Sequence, residues 1–401
     1  MYRASIQRII VIFSCLLFSA SSDAQTVIPL FKCSKKLENP YGICTHFTRN
    51  SERYDYSTMD RQLRMMHDIG INNVRGDIDY GSTNDNNTGM MDSILESCML
   101  YDINFLGIAS DSEFYNREWK AFKSYLNTFI NHYADKFKWV EFCNEIDLIR
   151  QMNVPERYLS DIKQFYKVKQ KNKRINILLS GFGKVNMPAF DSIMALMPNR
   201  YFDIMNFHTY NVPETIPSLL KVIRSNMDKN HLNKPVWLTE CGMPTQVTNA
   251  GKVGERGKKE DEQARRLTRI FLINFAYGID KVFWYNFRSC EMDSTCSEDN
   301  FGVVHKDLSP KPAYYAYKTL INMCPPGSTR PKLNLDGYLF KAEWTRPDKK
   351  RVIAIWLKKG TLDYYVKVNS CRFYDYLGTM VKPKNNRVVI STGVLFIITD
   401  K

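Results

Sequence analysis

Two short segments of the chain each end in a glutamate that could carry out acid–base or nucleophilic chemistry. Residues 138–145 read Lys-Trp-Val-Glu-Phe-Cys-Asn-Glu, and residues 235–240 read Pro-Val-Trp-Leu-Thr-Glu. Both runs are too short for helices and are rich in valine and aromatic residues, which predicts buried strands. Two carboxyl groups at one site are the minimum needed to cleave a glycosidic bond, one as proton donor and the other as nucleophile or base.

The elements that would position these glutamates alternate regularly along the chain. The predicted strands cover residues 41–47, 73–77, 104–109, 138–143, 175–180, 201–207, 236–239 and 282–286. Helical patterns lie at residues 56–69, 90–101, 119–137, 155–170, 188–196, 217–227, 261–277 and 313–323. Such alternation implies parallel strands with right-handed crossovers, and eight units predict a (β/α)₈ barrel of the α/β class. Glu145 and Glu240 would then stand at the rim formed by the carboxyl ends of the strands, where barrels carry their chemistry.

The two ends of the chain differ from this central pattern. After residue 325 the sequence changes to short alternating runs separated by Pro, Gly, Asn and Lys, which predicts a small antiparallel β-sandwich over residues 326–401. Residues 26–37 are a candidate additional strand, and residues 25–325 form the predicted catalytic domain.

Residues 1–24 have the pattern of a secretory signal peptide. Arg3 and Arg8 give a basic start, an apolar stretch follows, and the small residues around Ala24 suit cleavage before Gln25. The apolar stretch is too short to span a bilayer. We therefore expect a secreted or periplasmic protein without a transmembrane segment, with a lipoprotein anchored through Cys15 as the alternative.

Charge and cysteine content restrict the partners. The formal net charge of +14 indicates either a solvated basic surface or attraction to an acidic glycan or anionic cell surface. Nucleic acid is not expected, because no basic helix or interleaved aromatic platform is present. Among the ten cysteines, Cys290 and Cys296 lie close together in a polar stretch and are the candidate disulfide. No Cys/His spacing resembles a zinc site.

Several short motifs together resemble glycoside hydrolase clan A, whose members are retaining glycosidases built on a (β/α)₈ barrel. The strongest are Asn144-Glu145 after the fourth strand and Thr239-Glu240 at the end of the seventh. The supporting stretches are residues 73–75, 207–210, 283–285 and 307–314 in the barrel, and 375–378 and 391–396 in the tail. Within the clan the sequence is most similar to family-39-like enzymes, which include xylosidases and iduronidases.

The resemblance implies a role for each matching residue. Glu145 would be the general acid/base and Glu240 the nucleophile. Asn144 would bind the 2-hydroxyl of the sugar, while Arg75 would hydrogen-bond the nucleophile and keep it ionised.

Further matching residues would line the sugar subsite. His208 and Tyr210 would form part of its wall, with Tyr210 near the nucleophile, and Trp284 would be the apolar floor under the sugar ring. His46, after the first strand, is either a ligand contact or a structural histidine. No metal or organic cofactor is expected for this mechanism.

Other positions leave questions open. Asp77 and Asp79 either bind sugar hydroxyls or are ordinary solvated or paired carboxylates. Ile146-Asp147 follows the proton donor where many relatives carry proline, so the preferred leaving group is not predicted. Long segments at residues 249–260 and 288–305 could wall off one end of a groove, which favours a pocket or short cleft.

Three functional hypotheses follow. The first is a secreted retaining glycosidase that cleaves a poly- or oligosaccharide, possibly an acidic one, by double displacement. The second is a non-catalytic glycan-binding protein on the same scaffold, although the presence of both glutamates argues against it. The third is an interaction protein whose basic surface binds an acidic polymer.

Overall fold

A computed structural model describes residues 25–49, 53, 56–78, 89–109, 129–149, 154–185, 188–248, 254–366 and 371–399. The predicted signal peptide, Asp79 and most of the predicted helix at 119–137 lie outside these residues. No helix within the described ranges is long and apolar enough to cross a membrane.

Eight parallel strands form the predicted barrel. After a short strand β1 (Gln25–Thr26), the barrel strands are β2 (Tyr41–Cys44), β3 (Asn73–Asp77), β4 (Asn104–Ala109), β5 (Trp139–Phe142), β6 (Asn176–Leu178), β7 (Met205–Thr209), β8 (Val236–Cys241) and β9 (Val282–Trp284). Their order in the sheet is β6-β5-β4-β3-β2-β9-β8-β7. Single parallel bridges, Leu178 to Ile204 and Phe182 to Phe207, close the sheet between β6 and β7. The α/β barrel prediction is therefore confirmed.

Helices follow the strands and cover the outside of the barrel. They are α1 (Met59–Ile69), α2 (Gly89–Leu100), α3 (Val154–Phe165), α4 (Val168–Lys171), α5 (Pro188–Leu196), α6 (Ile216–Lys229), α7 (Glu255–Tyr277) and α8 (Pro312–Met323). In α1, Leu63, Met66 and Ile69 are buried on one face, as their spacing predicts. Gly70 ends this helix with a φ of 88°, a conformation that suits glycine.

The alternation of side chains along each strand divides the apolar residues into two layers. Inward-facing residues fill the barrel interior, and these are Cys44, Leu106, Trp139, Leu178, Ile204, Trp237 and Phe283. Their neighbours in sequence, such as Val140, Leu238 and Trp284, face the helices and belong to the outer core. Because this alternation has a period of two, it decides which residues near the carboxyl ends can reach the rim.

The C-terminal part forms two antiparallel sheets, as the sequence predicts. Its strands are β10 (Lys332–Asp336), β11 (Leu339–Thr345), β12 (Arg351–Leu357), β13 (Leu362–Tyr365), β14 (Cys371–Tyr374), β15 (Met380–Val381), β16 (Arg387–Ile390) and β17 (Leu395–Thr399). The seven-stranded sheet has the order β1-β10-β11-β12-β17-β14-β15, and β13 pairs with β16. Residues 25–26 thus supply an edge strand from the beginning of the described chain.

The predicted disulfide does not form. Cys290 and Cys296 are both free thiols, as are the other cysteines of the described residues. The Cys290 thiol instead lies 3.0 Å from Oδ1 of Asp299 in the loop after β9. Closeness in sequence brought the two cysteines into one loop, but the fold of that loop turns Cys290 inward to a carboxylate.

Arg330 fastens the C-terminal sheets to the barrel. Its guanidinium is buried and donates to the carbonyl oxygens of Ser34, Phe275 and Ile279, at 2.8 to 3.0 Å. It also donates to Oδ1 of Asp280 at 2.6 Å. The Arg330 side chain therefore links the segment before β2, the end of α7 and the segment before β10.

Replacing Arg330 by alanine should lower the free energy of unfolding by about 3 kcal/mol, because three carbonyl groups and a carboxylate lose their donor. Urea unfolding followed by tryptophan fluorescence would measure the change. The exposed Lys332→Ala is the control and should change stability by no more than about 0.5 kcal/mol. Equal losses of unfolding free energy in Arg330→Ala and Lys332→Ala would contradict this role of Arg330.

Candidate active site

Arg75 lies at the centre of a polar cluster above the barrel interior. It points inward from β3 and is only 2% exposed. Its Nε and Nη2 donate to the two carboxylate oxygens of Glu141 at 2.7 and 2.9 Å. Nη1 donates to Oε1 of Glu240 at 2.6 Å, and Nη2 also donates to Oδ1 of Asn144 at 2.8 Å. A buried guanidinium is stable only when it is paired with acceptors. Arg75 of β3 is paired with Glu141 of β5 and Glu240 of β8, so it links three strands of the barrel.

Glu141 supports Arg75 from below and was not predicted as a site residue. It is fully buried in β5, where its inward position alternates with the outward Val140 and Phe142. Besides the bidentate pair with Arg75, its Oε1 accepts the backbone N–H of Gly181 at 2.9 Å. A charged residue in an apolar strand is costly unless paired, and this was the signal in the sequence that could have identified it.

A β-bulge turns Glu240 into the site. The pairing of β7 with β8 runs from Phe207 opposite Leu238 to His208 opposite Glu240, so Thr239 is an extra residue. The outward residues Leu238 and Cys241 are therefore separated by two residues that contact the site. Bulges of this kind re-aim side chains beside active sites. Strict alternation would have placed Thr239 and Glu240 on opposite faces.

His208 connects the two glutamates. Its Nδ1 lies 3.0 Å from Oε1 of Glu145 and 3.6 Å from Oε2 of Glu240. Nδ1 must carry a proton here, because both neighbours are acceptors.

The other ring nitrogen of His208 faces donors. Nε2 lies 3.1 Å from Oγ1 of Thr239 and 3.4 Å from Nη2 of Arg75. Because Thr239 accepts a hydrogen bond from Asn206 at 3.1 Å, its own hydroxyl proton can be donated to Nε2. This arrangement favours the tautomer that donates from Nδ1 to Glu145.

The turn after β5 holds Asn144 and Glu145 in an uncommon backbone conformation. Cys143 and Glu145 have φ values of 66° and 48°, in the left-handed region that few non-glycine residues adopt. The backbone N–H of Glu145 is held by the carbonyl of Gly181 at 3.0 Å. A side chain at Gly181 would lie 2.1 Å from Nε2 of His208, so only glycine fits there.

An aromatic wall extends from Glu240. Tyr210 follows β7 and donates its hydroxyl proton to Oε2 of Glu240 at 2.6 Å. Its ring lies 6.2 Å from that of Tyr285 and 5.4 Å from that of Phe301, measured between centroids. Tyr285 and Phe301 are 5.2 Å apart and pack edge to face. Neither of these two residues was predicted to belong to the site.

The structure does not place Trp284 as the sequence predicted. Its side chain is 0% exposed and packs in the outer core, so it cannot serve as the floor of a cavity. Phe283 faces the barrel interior, and the alternation along β9 therefore turns Trp284 outward. Tyr285, one residue later, lines the cavity instead.

A second polar group lies at the far end of this wall. The Tyr285 hydroxyl donates to Glu298, which belongs to the loop after β9, and lies 3.1 Å from Nε2 of His46. Asp77 accepts from Nε and Nη2 of Arg49, both at 2.7 Å, and lies 3.9 Å from Nδ1 of His46. His46 and Asp77, both left open by the sequence, thus line the cavity, and Glu298 was missed.

These residues surround a cavity of about 370 Å³ at the carboxyl ends of the strands. The two candidate glutamates line this cavity and differ in exposure. The side chain of Glu145 is 26% exposed and that of Glu240 is 10% exposed. An oxygen of Glu145, one of Glu240 and a ring nitrogen of His208 all lie within 4.8 Å of one another. Three such ligand atoms could in principle hold a cation, but Arg75 already neutralises Glu240 and would repel a second one.

The surroundings shift the pKa values of Glu240 and His208 in opposite directions. Burial raises the pKa of the Glu240 carboxyl, but His208, Arg75 and the Tyr210 hydroxyl together bring it below its usual range. Burial lowers the pKa of His208, but Glu240 and the hydrogen bond to Glu145 bring it above its usual value. The neighbours of Glu240 thus favour its ionised form.

Comparison with known proteins gives the class of the fold. No protein-family model matches the sequence, and no curated protein matches it significantly. Solved structures do match. A family 39 glycoside hydrolase from the gut symbiont Bacteroides cellulosilyticus superposes with a TM-score of 0.71, at 19% identity over 91% of this chain and 82% of that chain.

Two further structures are similar over nearly their whole length. A family 51 α-L-arabinofuranosidase from Bifidobacterium longum gives a TM-score of 0.64 at 10% identity, covering 94% of this chain and 99% of that chain. A family 30 endoxylanase from Clostridium papyrosolvens gives 0.57 at 11% identity, covering 95% and 100%. At these identities the likeness establishes the fold alone, which this chain shares with glycoside hydrolases of families 39, 51 and 30.

Replacing Glu141 by glutamine should destabilise the protein by about 3 kcal/mol, because it removes one charge from a fully buried ion pair and leaves Arg75 undercompensated. Chemical denaturation would measure the loss. Glu214→Gln, which removes a carboxylate paired with the buried Arg269 away from the cavity, is a matched control for stability. Only Glu141→Gln should also perturb the cavity, seen as altered fluorescence of its tyrosines. An undiminished stability of Glu141→Gln would contradict the support assigned to it.

Proposed function

We propose that this protein is an exported retaining glycoside hydrolase that cleaves a poly- or oligosaccharide by double displacement. The observation that carries the proposal is the approach of Glu145 and Glu240 oxygens to within 4.8 Å, with a guanidinium on one carboxylate only. Retaining glycosidases hold their two carboxyl groups about 5–5.5 Å apart, whereas inverting enzymes need about 6.5–9.5 Å to admit a water. The glycosidase fold and the pattern of residues 1–24 support the reaction and the export, respectively.

In the first step Glu240 attacks the anomeric carbon of the sugar. Arg75 donates to Oε1 of Glu240 and Tyr210 to Oε2, so both bonds orient the carboxylate and favour its ionised form. Glu145 donates its proton to the glycosidic oxygen, so the leaving sugar departs as an alcohol. The product is a glycosyl ester in which Glu240 has lost its charge, while Glu145 has become a carboxylate, so the net charge of the site is unchanged.

In the second step Glu145 acts as a base. It takes a proton from a water that attacks the anomeric carbon, and Glu240 leaves as a carboxylate. His208, which donates to Glu145, positions this carboxyl group in both protonation states. Asn144 is held by Arg75 through its oxygen, so its amide N–H groups are left to bind the 2-hydroxyl of the sugar.

A non-catalytic glycan-binding protein on the same scaffold is the second candidate. It needs the cavity but neither the short distance between the glutamates nor the hydrogen bonds that orient them. The cluster of Arg75, Tyr210 and His208 around two carboxylates therefore favours catalysis over binding alone.

The wild-type protein should release reducing ends from a panel of plant, microbial and animal glycans. Glu240→Ala and Glu145→Ala should each lower the rate about 1,000-fold or more. Sodium azide should restore cleavage of activated aryl glycosides by forming glycosyl azides of opposite anomeric configuration in the two variants, because only Glu240→Ala lacks the enzyme nucleophile. Nuclear magnetic resonance of the products would assign the configurations.

The outcomes of the release and azide assays separate the glycosidase from the glycan-binding protein. Absence of release by the wild type, together with glycan binding that survives in both variants, would favour the binding protein. Azide products of the same configuration from both variants would contradict the assignment of acid and nucleophile.

As the pH is lowered, kcat/KM should fall only below about 4.3, the ordinary pKa of a glutamate. The reason is that the pKa of Glu240 is lowered, so its ionised form persists at that pH. Tyr210→Phe removes one of the bonds that lower this pKa, so the acid limb of kcat/KM should move to higher pH. Initial rates between pH 3 and 9, at values stepped by about half a unit, would locate the limb. An acid limb that stays in place in Tyr210→Phe would show that this bond has no electrostatic effect on the nucleophile.

A further inference from the structure

Carboxyl groups predominate in the described lining of the cavity, although the protein as a whole is basic. Among the described residues that line it, carboxylates outnumber guanidinium groups by four to two, the carboxylates being Asp77, Glu145, Glu240 and Glu298, and the guanidinium groups Arg49 and Arg75. Both arginines are already ion-paired with carboxylates of the protein, so the charge of each is largely compensated before a ligand binds. Arg75 is held by Glu141 and Glu240, and Arg49 by Asp77.

Glu298 lies at the end of the aromatic wall away from the reacting groups. The wall starts at Tyr210, bonded to Glu240, continues to the ring of Tyr285 6.2 Å away, and ends where the Tyr285 hydroxyl donates to Glu298. A sugar ring that packs its C–H face on this wall with its anomeric carbon at Glu240 directs its distant substituents towards Glu298.

The chemistry of these groups decides what the distant substituents can be. Hydroxyl groups donate hydrogen bonds, and the carboxylates of Glu298 and Asp77, which both line the cavity, accept them. A carboxylate in the same place would meet Glu298 and Asp77 with no uncommitted cation among the described lining residues, and like charges in a partly dry cavity repel strongly.

Building on the proposed glycosidase function, we infer that the subsite beside Glu240 takes a neutral pentose or hexose and rejects a uronic acid, and that Glu298 is the residue that discriminates between them. This differs from the expectation of an acidic substrate that the net charge of +14 had left open. Discrimination arises from the groups inside the cavity, whereas the net charge describes the whole chain.

Matched pairs of 4-nitrophenyl glycosides that differ only at C6 test the inference. Xylosides and glucosides are compared with glucuronides, and galactosides with galacturonides, in both anomeric configurations. We expect kcat/KM for the best neutral compound to exceed that of its uronide by about 100-fold or more. Glu298→Gln keeps the size of the side chain and removes its charge, so it should narrow this ratio about 10-fold or more.

Two controls accompany this comparison. Glu96→Gln changes an exposed glutamate on α2 outside the cavity and should leave the ratio unchanged. Binding of the same glycosides to Glu145→Gln, measured by titration calorimetry, reports selectivity without requiring turnover, and thermal unfolding verifies that each variant is folded.

The outcomes distinguish this inference from the proposed function. Uronides that are hydrolysed or bound as well as neutral glycosides would overturn the inference and leave the hydrolase standing. Preferential binding of neutral glycosides without hydrolysis by the wild type would support the inference and overturn the proposed activity. Neither binding nor turnover of either class would overturn both, and a ratio unchanged by Glu298→Gln would overturn the role of Glu298.

Discussion

The candidate active site depends on one buried cation, the guanidinium of Arg75. Taking a charge out of water costs several kcal/mol, so Arg75 is tolerated only because Glu141 and Glu240 compensate it and Asn144 accepts a further bond. Glu141 has no route to solvent and serves to fix the plane of the guanidinium from below. The shortest bonds of the remaining N–H groups go to Glu240 and Asn144. The proposed nucleophile and the proposed sugar-binding amide are therefore oriented by the same requirement to neutralise one charge.

This arrangement also separates the two glutamates chemically. Glu240 receives bonds from Arg75 and Tyr210, which favour its ionised form, whereas Glu145 receives its bond from His208 and is more exposed to the cavity. Acid and nucleophile roles require unlike environments for two identical side chains. The difference between the two glutamates comes from the residues around them. These are Arg75 on β3, His208 on β7 and Tyr210 directly after β7.

The sequence predicted the barrel because eight βα units with apolar strands admit few other arrangements, and it predicted most of the cluster because Arg75, Glu145, His208 and Glu240 all lie at strand ends. It misplaced Trp284 because a one-residue difference in register reverses the face of every side chain in a strand. The bulge at Thr239 had no local signal, since it is defined by pairing with β7 and β9. Glu298 was missed because loops gain their position from packing that periodicity does not encode.

That packing explains how loop residues come to define the cavity. Lys311, which is buried, bonds the hydroxyl of Thr245 at 3.1 Å and that of Ser289 at 2.8 Å, joining the loop after β8 to the loop after β9. Glu298 and Phe301 belong to the second of these loops, so the walls of the cavity are held by an interaction outside it. The fixed groups that line the cavity then outweigh distant surface charges within it, because solvent ions screen charges beyond about 8 Å at physiological ionic strength. The net charge of +14 describes the whole chain, whereas carboxyl groups predominate among the described residues that line the cavity, so composition alone does not predict the charge of a cavity.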